Sequence, residues 1–308
     1  MPRPLAPSGL GSDATTCAYV KPASFRFSRP TQLDEALALL ADHGDEAVVM
    51  AGGQSLTPLL NLRMSRPEIV VDVSRVRGLD GLTAAEDGVT VGATCRARRV
   101  ELDADVRAVL PIVPAALSHV GHPQIRNRST LGGMVAFADP AAEIPAVLRA
   151  CDGTVELRSA SGSRQVEAAN FFIGVYQTAR ADNELVTSLR FAVPPHHHFV
   201  VTEHARRHGD FAIAGAVIGL DLKQRTVRGL RLCFFGVGSG PVRLEELEQR
   251  FIGAELDDRV TAEIAAGVAD LLTPPSDVHA SADYRRHTAS VVTKRSLQAL
   301  VQEGANHE

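Results

Sequence analysis

The chain has 308 residues, of which 45% are apolar and 22% are charged, and its formal net charge is -4. This length suffices for about two or three hydrophobic cores, and this composition is typical of a soluble globular protein. The small negative charge gives no electrostatic reason to expect binding to nucleic acid or to an anionic membrane, and no apolar run approaches the roughly 20 residues that span a bilayer. We therefore expect a soluble, cytoplasmic protein.

The cysteines are too dispersed to indicate a metal site. The sequence contains four, none of them in a C-x-x-C pair: Cys17, Cys95, Cys151 and Cys233. Zinc and iron–sulfur sites usually take several cysteines from closely spaced motifs. We expect this chain to ligate no metal by itself, and each cysteine to be a buried small side chain or a free thiol.

Residues 1–20 are rich in Pro, Gly and Ser, lack the apolar core of a signal peptide, and are predicted to form a flexible extension. A first block follows at residues 21–75. It opens with a strand near Phe25 and a helix that Thr31 is expected to cap, and it closes with an apolar strand at 69–73. This order predicts a βαβ-like unit.

A Gly-Gly loop within the first block is the most informative stretch of the sequence. It follows an apolar strand and consists of Ala51, Gly52, Gly53, Gln54, Ser55 and Leu56. Adjacent glycines let the backbone turn tightly and approach a ligand closely, because no Cβ intervenes. Gln54 and Ser55 add polar donors, and Pro58 permits a helical turn directly afterwards. The stretch suits a diphosphate, and an ordinary Gly-Gly turn is the alternative when it is considered alone.

The second block, residues 76–195, is predicted to contain two hairpins and a closing strand at 184–193. Its predicted helices cover 96–104, 107–119 and 143–150. A long loop predicted at 120–142 carries a second Gly-Gly stretch, formed by Thr130, Leu131, Gly132, Gly133 and Met134. Two such stretches with polar neighbours could hold the two ends of one long dinucleotide.

The third block, residues 196–308, places strands before helices. Strand-like runs occur at 198–206, 211–222 and 227–236, and helical patterns at about 244–252, 258–272 and 281–303. This order indicates a small antiparallel sheet with helices packed on one face. The sequence GVGSGP at 236–241 lacks the third glycine of a dinucleotide fingerprint, and the sequence contains no P-loop motif.

Together, the two glycine stretches resemble the motifs of a known family. AGGQSL at 51–56 and TLGG at 130–133 are similar to sequences of the FAD-binding medium subunits of molybdenum hydroxylases, the carbon monoxide dehydrogenase and xanthine dehydrogenase group. RHGDFA at 207–212 resembles that family's R-x-G-D-[FY]-A signature. The resemblance implies an α+β protein. Its first two blocks would form a two-subdomain FAD-binding fold of the PCMH type, followed by a C-terminal domain of three antiparallel strands and three helices.

The resemblance also implies which residues contact FAD. The two glycine stretches would hold the pyrophosphate and ribose, and Val120 and Gln124 belong to a segment that the family places beside the cofactor. Glu143 matches an acidic position that contacts a ribose or the flavin; alternatively, its carboxylate favours its own helix N-terminus. Leu185 and Val186 match a position near the flavin, and core packing is the alternative for both.

Two charged residues admit further alternatives. Arg126 could offer a fork to a phosphate or a flavin carbonyl, or could pair with a carboxylate of this chain or of a neighbouring subunit. Glu203 stands where many family members have a lysine near the flavin, and Val201 stands where they have an aromatic residue. If Glu203 points towards the flavin, its carboxylate should make flavin reduction less favourable.

The sequence therefore predicts an FAD-binding electron-transfer subunit. By the resemblance, a large partner subunit holds molybdopterin, a small one carries two [2Fe–2S] clusters, and FAD passes electrons from those clusters to an external acceptor. The assembly would be a dimer of heterotrimers, and this chain would supply no catalytic acid or base. The alternatives are a self-sufficient FAD-dependent oxidase or reductase, and a non-redox scaffold that has lost its flavin.

Overall fold

The computed structural model describes residues 21–305. The predicted extension at 1–20, which includes Cys17, lies outside the described residues. Cys95, Cys151 and Cys233 are buried free thiols, as predicted for them. Burial raises the pKa of both Cys151 and Cys233 to about 12, so these thiols are inert at neutral pH. Within residues 21–305, every helix is too short or too polar to cross a membrane.

The first block folds around a parallel sheet with strand order β1-β3-β2. Its elements are β1 (Arg26–Ser28), α1 (Leu33–His43), β2 (Ala47–Met50), α2 (Leu56–Asn61) and β3 (Ile69–Asp72), with 3₁₀ turns at Gly44–Glu46 and Val73–Arg75. Leu37 and Leu40 of α1 pack against Ile69 and Val71 of β3. Both strand pairs are parallel, which confirms the predicted βαβ-like unit.

The N-terminus of α1 differs in detail from the prediction. Gln32, not Thr31, is the N-cap residue. The Glu35 carboxylate accepts hydrogen bonds from the backbone N–H groups of Thr31 and Gln32, at 3.0 and 3.3 Å. A glutamate in the first helical turn thus stabilises the start of α1, and the Thr31 side chain is not required for this role.

The second block folds around an antiparallel sheet with strand order β4-β5-β10-β6-β7. Its elements are β4 (Leu82–Ala85), β5 (Gly88–Gly92), α3 (Ala97–Leu102), α4 (Ala104–Val109), α5 (Ile112–His119), α6 (Pro123–Arg126), α7 (Leu131–Phe137), α8 (Glu143–Ala150), β6 (Thr154–Ser159), β7 (Gly162–Glu167), α9 (Ala168–Phe171), β8 (Phe172–Gly174), β9 (Gln177–Thr178) and β10 (Leu185–Ala192). The predicted long loop at 120–142 is wrong, because this segment forms α6 and α7. The second glycine stretch is therefore the first turn of a helix.

The third block contains the predicted strands and helices and one short additional strand. Its elements are β11 (His198–His204), β12 (Ala214–Lys223), β13 (Thr226–Phe235), β14 (Val242–Arg243), α10 (Glu245–Arg250), α11 (Asp258–Leu271) and α12 (Ala282–Ala305). The strands form an antiparallel sheet in the order β11-β12-β13-β14. The two-residue β14 pairs with the end of β13, and its short length explains why no strand pattern predicts it.

Both faces of this C-terminal sheet are covered. Val217 and Phe235 point into the core of the second block, against α8, whereas Ile218 and Phe234 point towards α11 and α12. The order of strands and helices in the sequence predicts helices on one face only, so the prediction missed the second covered face. Burial on two faces explains why β12 is almost continuously apolar, since alternate side chains enter different cores. The sheet thereby joins the third block to the second.

Candidate cofactor site

The first glycine stretch forms the turn between β2 and α2. Gly53 has a φ of +71°, a conformation that residues with a Cβ rarely adopt, and its carbonyl accepts a hydrogen bond from the Thr57 N–H at 3.1 Å. Gly52 has a different role. A Cβ added to it would lie 2.4 Å from the carbonyl oxygen of Arg128 and 2.8 Å from the Cα of Ser129. The first stretch therefore packs directly against the segment that leads into the second.

The second glycine stretch begins α7. Thr130 is the N-cap residue, and its Oγ1 accepts a hydrogen bond from the Gly133 N–H at 3.1 Å. A Cβ added to Gly132 would lie 2.5 Å from the Cα and Cβ of Ala93, so Gly132 allows α7 to pack tightly against the backbone that follows β5. A Cβ added to Gly133 would lie 3.8 Å from the Cβ of Ala51. The two stretches, far apart in the sequence, thus face each other.

Both stretches line one cavity of about 330 Å³. Most of the residues predicted to contact the cofactor border it: Ala51, Gly52, Gly53, Gln54, Ser55, Leu56, Thr130, Gly132, Gly133, Met134, Leu185 and Val186. The other predicted residues, Leu131, Val120, Gln124 and Glu143, lie outside this lining. Leu131 is fully buried and packs into the core of the second block.

Arg126 forms an ion pair within this chain. Its Nε donates to the Glu101 carboxylate at 2.8 Å, and its Nη1 donates to the carbonyls of Val120 and Gly121 at 3.1 and 3.0 Å. Arg126 therefore pairs with a carboxylate of this chain, which was one of the alternatives predicted for it. Although burial opposes it, the hydrogen bonds from Arg126 and Arg98 hold the pKa of Glu101 below its usual range. Val120 contacts Arg126 through its carbonyl, and neither Val120 nor Gln124 borders the cavity.

Several residues that line the cavity are not predicted from the sequence, including Met50, Leu59, Ser129, Phe137 and Arg180. The apolar ones belong to elements whose sequence pattern indicates only core packing. Arg180 precedes β10 in a polar stretch that reads as an ordinary connection. No local signal distinguishes these residues, because the tertiary packing of the first block against the second brings them to the cavity.

Three titratable residues approach one another where α5, α8 and β11 meet, and we call them the acid–histidine cluster: Glu143, His119 and Glu203. His119 Nδ1 lies 3.1 Å from Glu203 Oε1. The hydrogen bond that His119 donates to the Glu203 carboxylate raises the pKa of His119. Glu203 Oε2 is buried and has no hydrogen-bond partner among the described residues. Glu203 therefore pairs with His119 of the second block and does not stand alone as an exposed carboxylate.

Glu143 is the most strongly perturbed member of this cluster. Its side chain is 4% exposed, and burial, reinforced by the charge of Glu203, raises its pKa to about 8. A carboxyl group with such a pKa is mostly protonated at neutral pH and can donate a hydrogen bond. The sequence prediction considered only a carboxylate here, and the burial of α8 between the two larger sheets explains the difference.

A separate surface group of His43, Glu46 and Glu68 places its possible metal-ligand atoms within 4.8 Å of one another. Arg26 already occupies this position: its Nη2 lies 2.9 Å from His43 Nε2 and 2.7 Å from Glu68 Oε1. A guanidinium among the same acceptors neutralises the charge that a cation would require. We therefore interpret the group as a surface ion-pair network.

Comparison with known proteins identifies the family. Residues 23–194 match the model of the FAD binding domain in molybdopterin dehydrogenase, and residues 200–300 match the CO dehydrogenase flavoprotein C-terminal domain. This chain belongs to the FAD-binding medium subunits of the molybdenum hydroxylase family. The matched segments cover the glycine stretches, the cavity and the C-terminal sheet.

Individual relatives agree with this assignment. The caffeine dehydrogenase subunit beta of Pseudomonas sp. (strain CBB1) is 37% identical over 280 residues, which cover 90% of this chain and 95% of that protein. The carbon monoxide dehydrogenase medium chain of Hydrogenophaga pseudoflava is 30% identical, with 90% and 97% coverage. Among solved structures, quinoline 2-oxidoreductase from Pseudomonas putida 86 superposes with a TM-score of 0.88 at 32% identity, covering 92% of this chain and 99% of that one.

Membership of this family confirms the resemblance drawn from AGGQSL and TLGG, and it confirms FAD as the cofactor of this medium subunit. It also supports the predicted oxidoreductase class, since the relatives are dehydrogenase subunits. Neither the self-sufficient oxidase nor the flavin-free scaffold is favoured. The relatives span nearly the same length as this chain and are themselves subunits, not complete enzymes.

Proposed function

We propose that this medium subunit holds FAD in the cavity between its two glycine stretches. It would be the subunit of a three-subunit molybdenum hydroxylase that transfers electrons to the external acceptor. Bound FAD would supply the redox chemistry, taking electrons from [2Fe–2S] clusters of a small subunit and passing them to an external acceptor. The residues of this chain bind and orient the cofactor. The observation that carries the proposal is that one cavity is bordered by both stretches, by Ala51–Leu56 on one side and by Thr130, Gly132, Gly133 and Met134 on the other.

The lining of the cavity suits a dinucleotide. The backbone turn at Gly52 and Gly53 offers N–H groups without a Cβ to obstruct a phosphate. On the opposite side of the cavity Gly133 also lacks a Cβ, and its N–H donates to Thr130 Oγ1 at 3.1 Å. Leu185 and Val186 of β10 supply an apolar surface of the kind that a flavin or adenine ring covers. We propose that polar backbone binds the diphosphate and that apolar side chains bind the rings.

Two further proposals concern the assembly and the domain boundaries. Relatives whose names describe them as a medium chain or as a subunit of a complex support a multi-subunit enzyme. We propose that this chain assembles with a large molybdopterin subunit and a small iron–sulfur subunit as a dimer of heterotrimers in the cytoplasm. We also propose that the FAD subdomains cover 21–75 and 76–195 and that the C-terminal domain covers 196–308.

An absorption spectrum tests whether this chain holds FAD and a partner subunit holds the iron–sulfur clusters. The enzyme is purified with its partner subunits, and its spectrum is recorded before and after this chain is separated from them. Flavin bands that follow this chain, with iron–sulfur absorbance left on a partner, are the expected result. A colourless chain that also fails to bind added FAD would contradict the proposal, and flavin that stays with a partner would contradict it as well.

A pair of glycine variants tests the location of FAD. Gly53→Val places a branched side chain at a φ of +71° beside the cavity, and Gly78→Val imposes a similar strain at a φ of +81° outside it. We expect Gly53→Val to lose bound flavin and Gly78→Val to retain it, as measured by flavin absorbance per chain, with circular dichroism to verify folding. Equal retention in both variants would place FAD elsewhere.

A further inference from the structure

One charged residue borders the cavity in the part of the chain that the structure describes, and it is Arg180. The rest of that lining is apolar, glycine, or neutral and polar. A diphosphate is anionic, and a guanidinium binds phosphate oxygens through two parallel hydrogen bonds. Backbone N–H groups alone supply only partial positive charge. A cavity that binds an anionic cofactor therefore has one available full positive charge among its described residues.

Contacts on one side of the Arg180 guanidinium hold it in place. Its Nη1 donates to the carbonyls of Ala181, Asp182 and Glu184 at 2.7, 3.2 and 2.8 Å. These carbonyls belong to the connection that leads into β10, so the guanidinium plane is fixed relative to Leu185 and Val186. Its Nε and Nη2 make no hydrogen bond to any described residue. Two donors thus remain available to a ligand in the cavity.

No carboxylate of the described residues neutralises this cation closely. The nearest, Asp182 Oδ1, lies 4.0 Å from Nη2 and belongs to a side chain that is 65% exposed. Glu184 is already paired, because its two oxygens accept from Arg164 Nε and Nη2 at 2.7 and 2.8 Å. Burial lowers the pKa of Arg180, opposed by the charges of Asp182 and Glu184. An anion entering the cavity would compensate this partly buried charge.

We propose that Arg180 is a cofactor-binding residue whose Nε and Nη2 donate to anionic oxygens of FAD, the diphosphate oxygens in the first instance. This inference rests on the proposed location of FAD in the cavity. The same donors could instead face the anionic pyrimidine edge of reduced flavin. In both cases Arg180 would form charge-assisted hydrogen bonds to oxygen atoms of the cofactor. Whether Arg180 contacts the diphosphate or the flavin ring, it would help to set the affinity for FAD or the midpoint potential of bound FAD. Arg180 lies outside the glycine motifs.

Titration of the full-length, flavin-free chain with FAD and with ADP tests this proposal. We expect Arg180→Leu to weaken the binding of both ligands about tenfold to hundredfold, because hydrogen bonds to charged groups contribute roughly 1.5–3 kcal/mol. Arg180→Lys keeps the charge without the fork and should recover part of the loss. The affinity of the wild type should also fall more steeply with salt than that of Arg180→Leu.

The matched control is the double variant Arg164→Leu/Glu184→Gln. Arg164 also hydrogen-bonds the same connection, since its Nη2 donates to the Ala179 carbonyl at 2.6 Å, and Glu184→Gln removes the carboxylate that the loss of Arg164 would otherwise release beside Arg180. The double variant loosens the connection but leaves the charge in the cavity intact. Equal losses in this control and in Arg180→Leu would show that loop order alone matters, and would overturn the proposal.

The two possible cofactor sources separate as follows. Weakened ADP binding assigns Arg180 to the diphosphate, whereas unchanged ADP binding with a lowered midpoint potential of bound FAD assigns it to the flavin ring. No change in ADP affinity, FAD affinity or potential would overturn the proposal. If the wild-type chain binds no FAD, the proposed function fails instead, and the two failures are thereby distinguishable.

Discussion

The glycine-lined cavity and the acid–histidine cluster both include residues of the second block but depend on different features of the chain. The cavity depends on backbone: Gly53 adopts a φ of +71°, and Gly132 approaches Ala93 more closely than any Cβ would permit. The cluster depends on side-chain charge, since His119 and Glu203 form a pair between α5 and β11 that is largely shielded from solvent. Both arrangements join residues distant in the sequence, but the first depends on backbone geometry and the second on electrostatics.

This difference has a consequence for how each region responds to substitution. A backbone site fails when a side chain is added, because close-packed atoms cannot move apart without cost. A buried charge cluster is destabilised when one partner is removed, because the remaining charged group is still desolvated but no longer has an opposite charge beside it. Variants at the two regions should therefore differ in how much they lower the free energy of unfolding, in how that loss depends on pH, and in which second substitution restores it.

The largest effect is expected for Gly132→Ala. The new Cβ would lie 2.5 Å from the backbone and side chain of Ala93, so α7 must shift away from the strand. We expect a loss of about 3 kcal/mol in the free energy of unfolding, together with loss of bound flavin, measured by urea denaturation and by absorbance. Gly81→Ala is the control, because its Cβ would meet no atom within 4 Å. Comparable stability of the two variants would contradict the packing argument.

A smaller effect is expected for His119→Ala. This change leaves the buried Glu203 carboxylate without its 3.1 Å partner, and its Oε2 already lacks one among the described residues. We expect a loss of about 2 kcal/mol at neutral pH, measured by thermal or urea unfolding. The double variant His119→Ala/Glu203→Gln should recover much of that loss, because it removes the unpaired charge. A strictly additive double variant would show that the pair is not coupled.

Thr130→Ala should cost about 1 kcal/mol, since it removes the side-chain acceptor for the Gly133 N–H at the start of α7. Bound flavin should be held more weakly, because Gly133 faces the first stretch across the cavity. Thr130→Ser keeps the hydroxyl and serves as the control. Urea unfolding and FAD titration measure the two effects, and a serine variant as weak as the alanine variant would indicate that the methyl group matters instead.

The last of these effects is a change in pH dependence at Glu143. Its folded pKa of about 8 exceeds its ordinary value of 4.5, so the folded state holds this proton more tightly than the unfolded state. The contribution to stability is complete below the unfolded pKa and is lost as the pH rises through the folded one. We expect the stability of the flavin-free wild type to fall, relative to Glu143→Gln, between about pH 5 and about pH 8. Parallel pH profiles would contradict this assignment.

Prediction from sequence succeeded where the information is local. The strand before Ala51, the turn at Gly53 and the helix that begins at Glu143 follow from short patterns whose physical meaning does not depend on distant residues. It failed at 120–142, where low apolar periodicity concealed two short helices. Glycines at the second and third positions of α7 reduce helix propensity, and the cap from Thr130 and packing against Ala93 compensate for them.

The sequence by itself determined the family, the α+β class and the two glycine stretches, because a requirement for glycine is a property of single backbone positions. Only the tertiary structure decided that Arg126 pairs with Glu101, that Glu203 pairs with His119, and that Arg180 borders the cavity. These contacts join elements distant in the sequence, and the long side chains involved reach several alternative partners. Packing of the blocks against one another selects among those partners, and no local pattern encodes that selection.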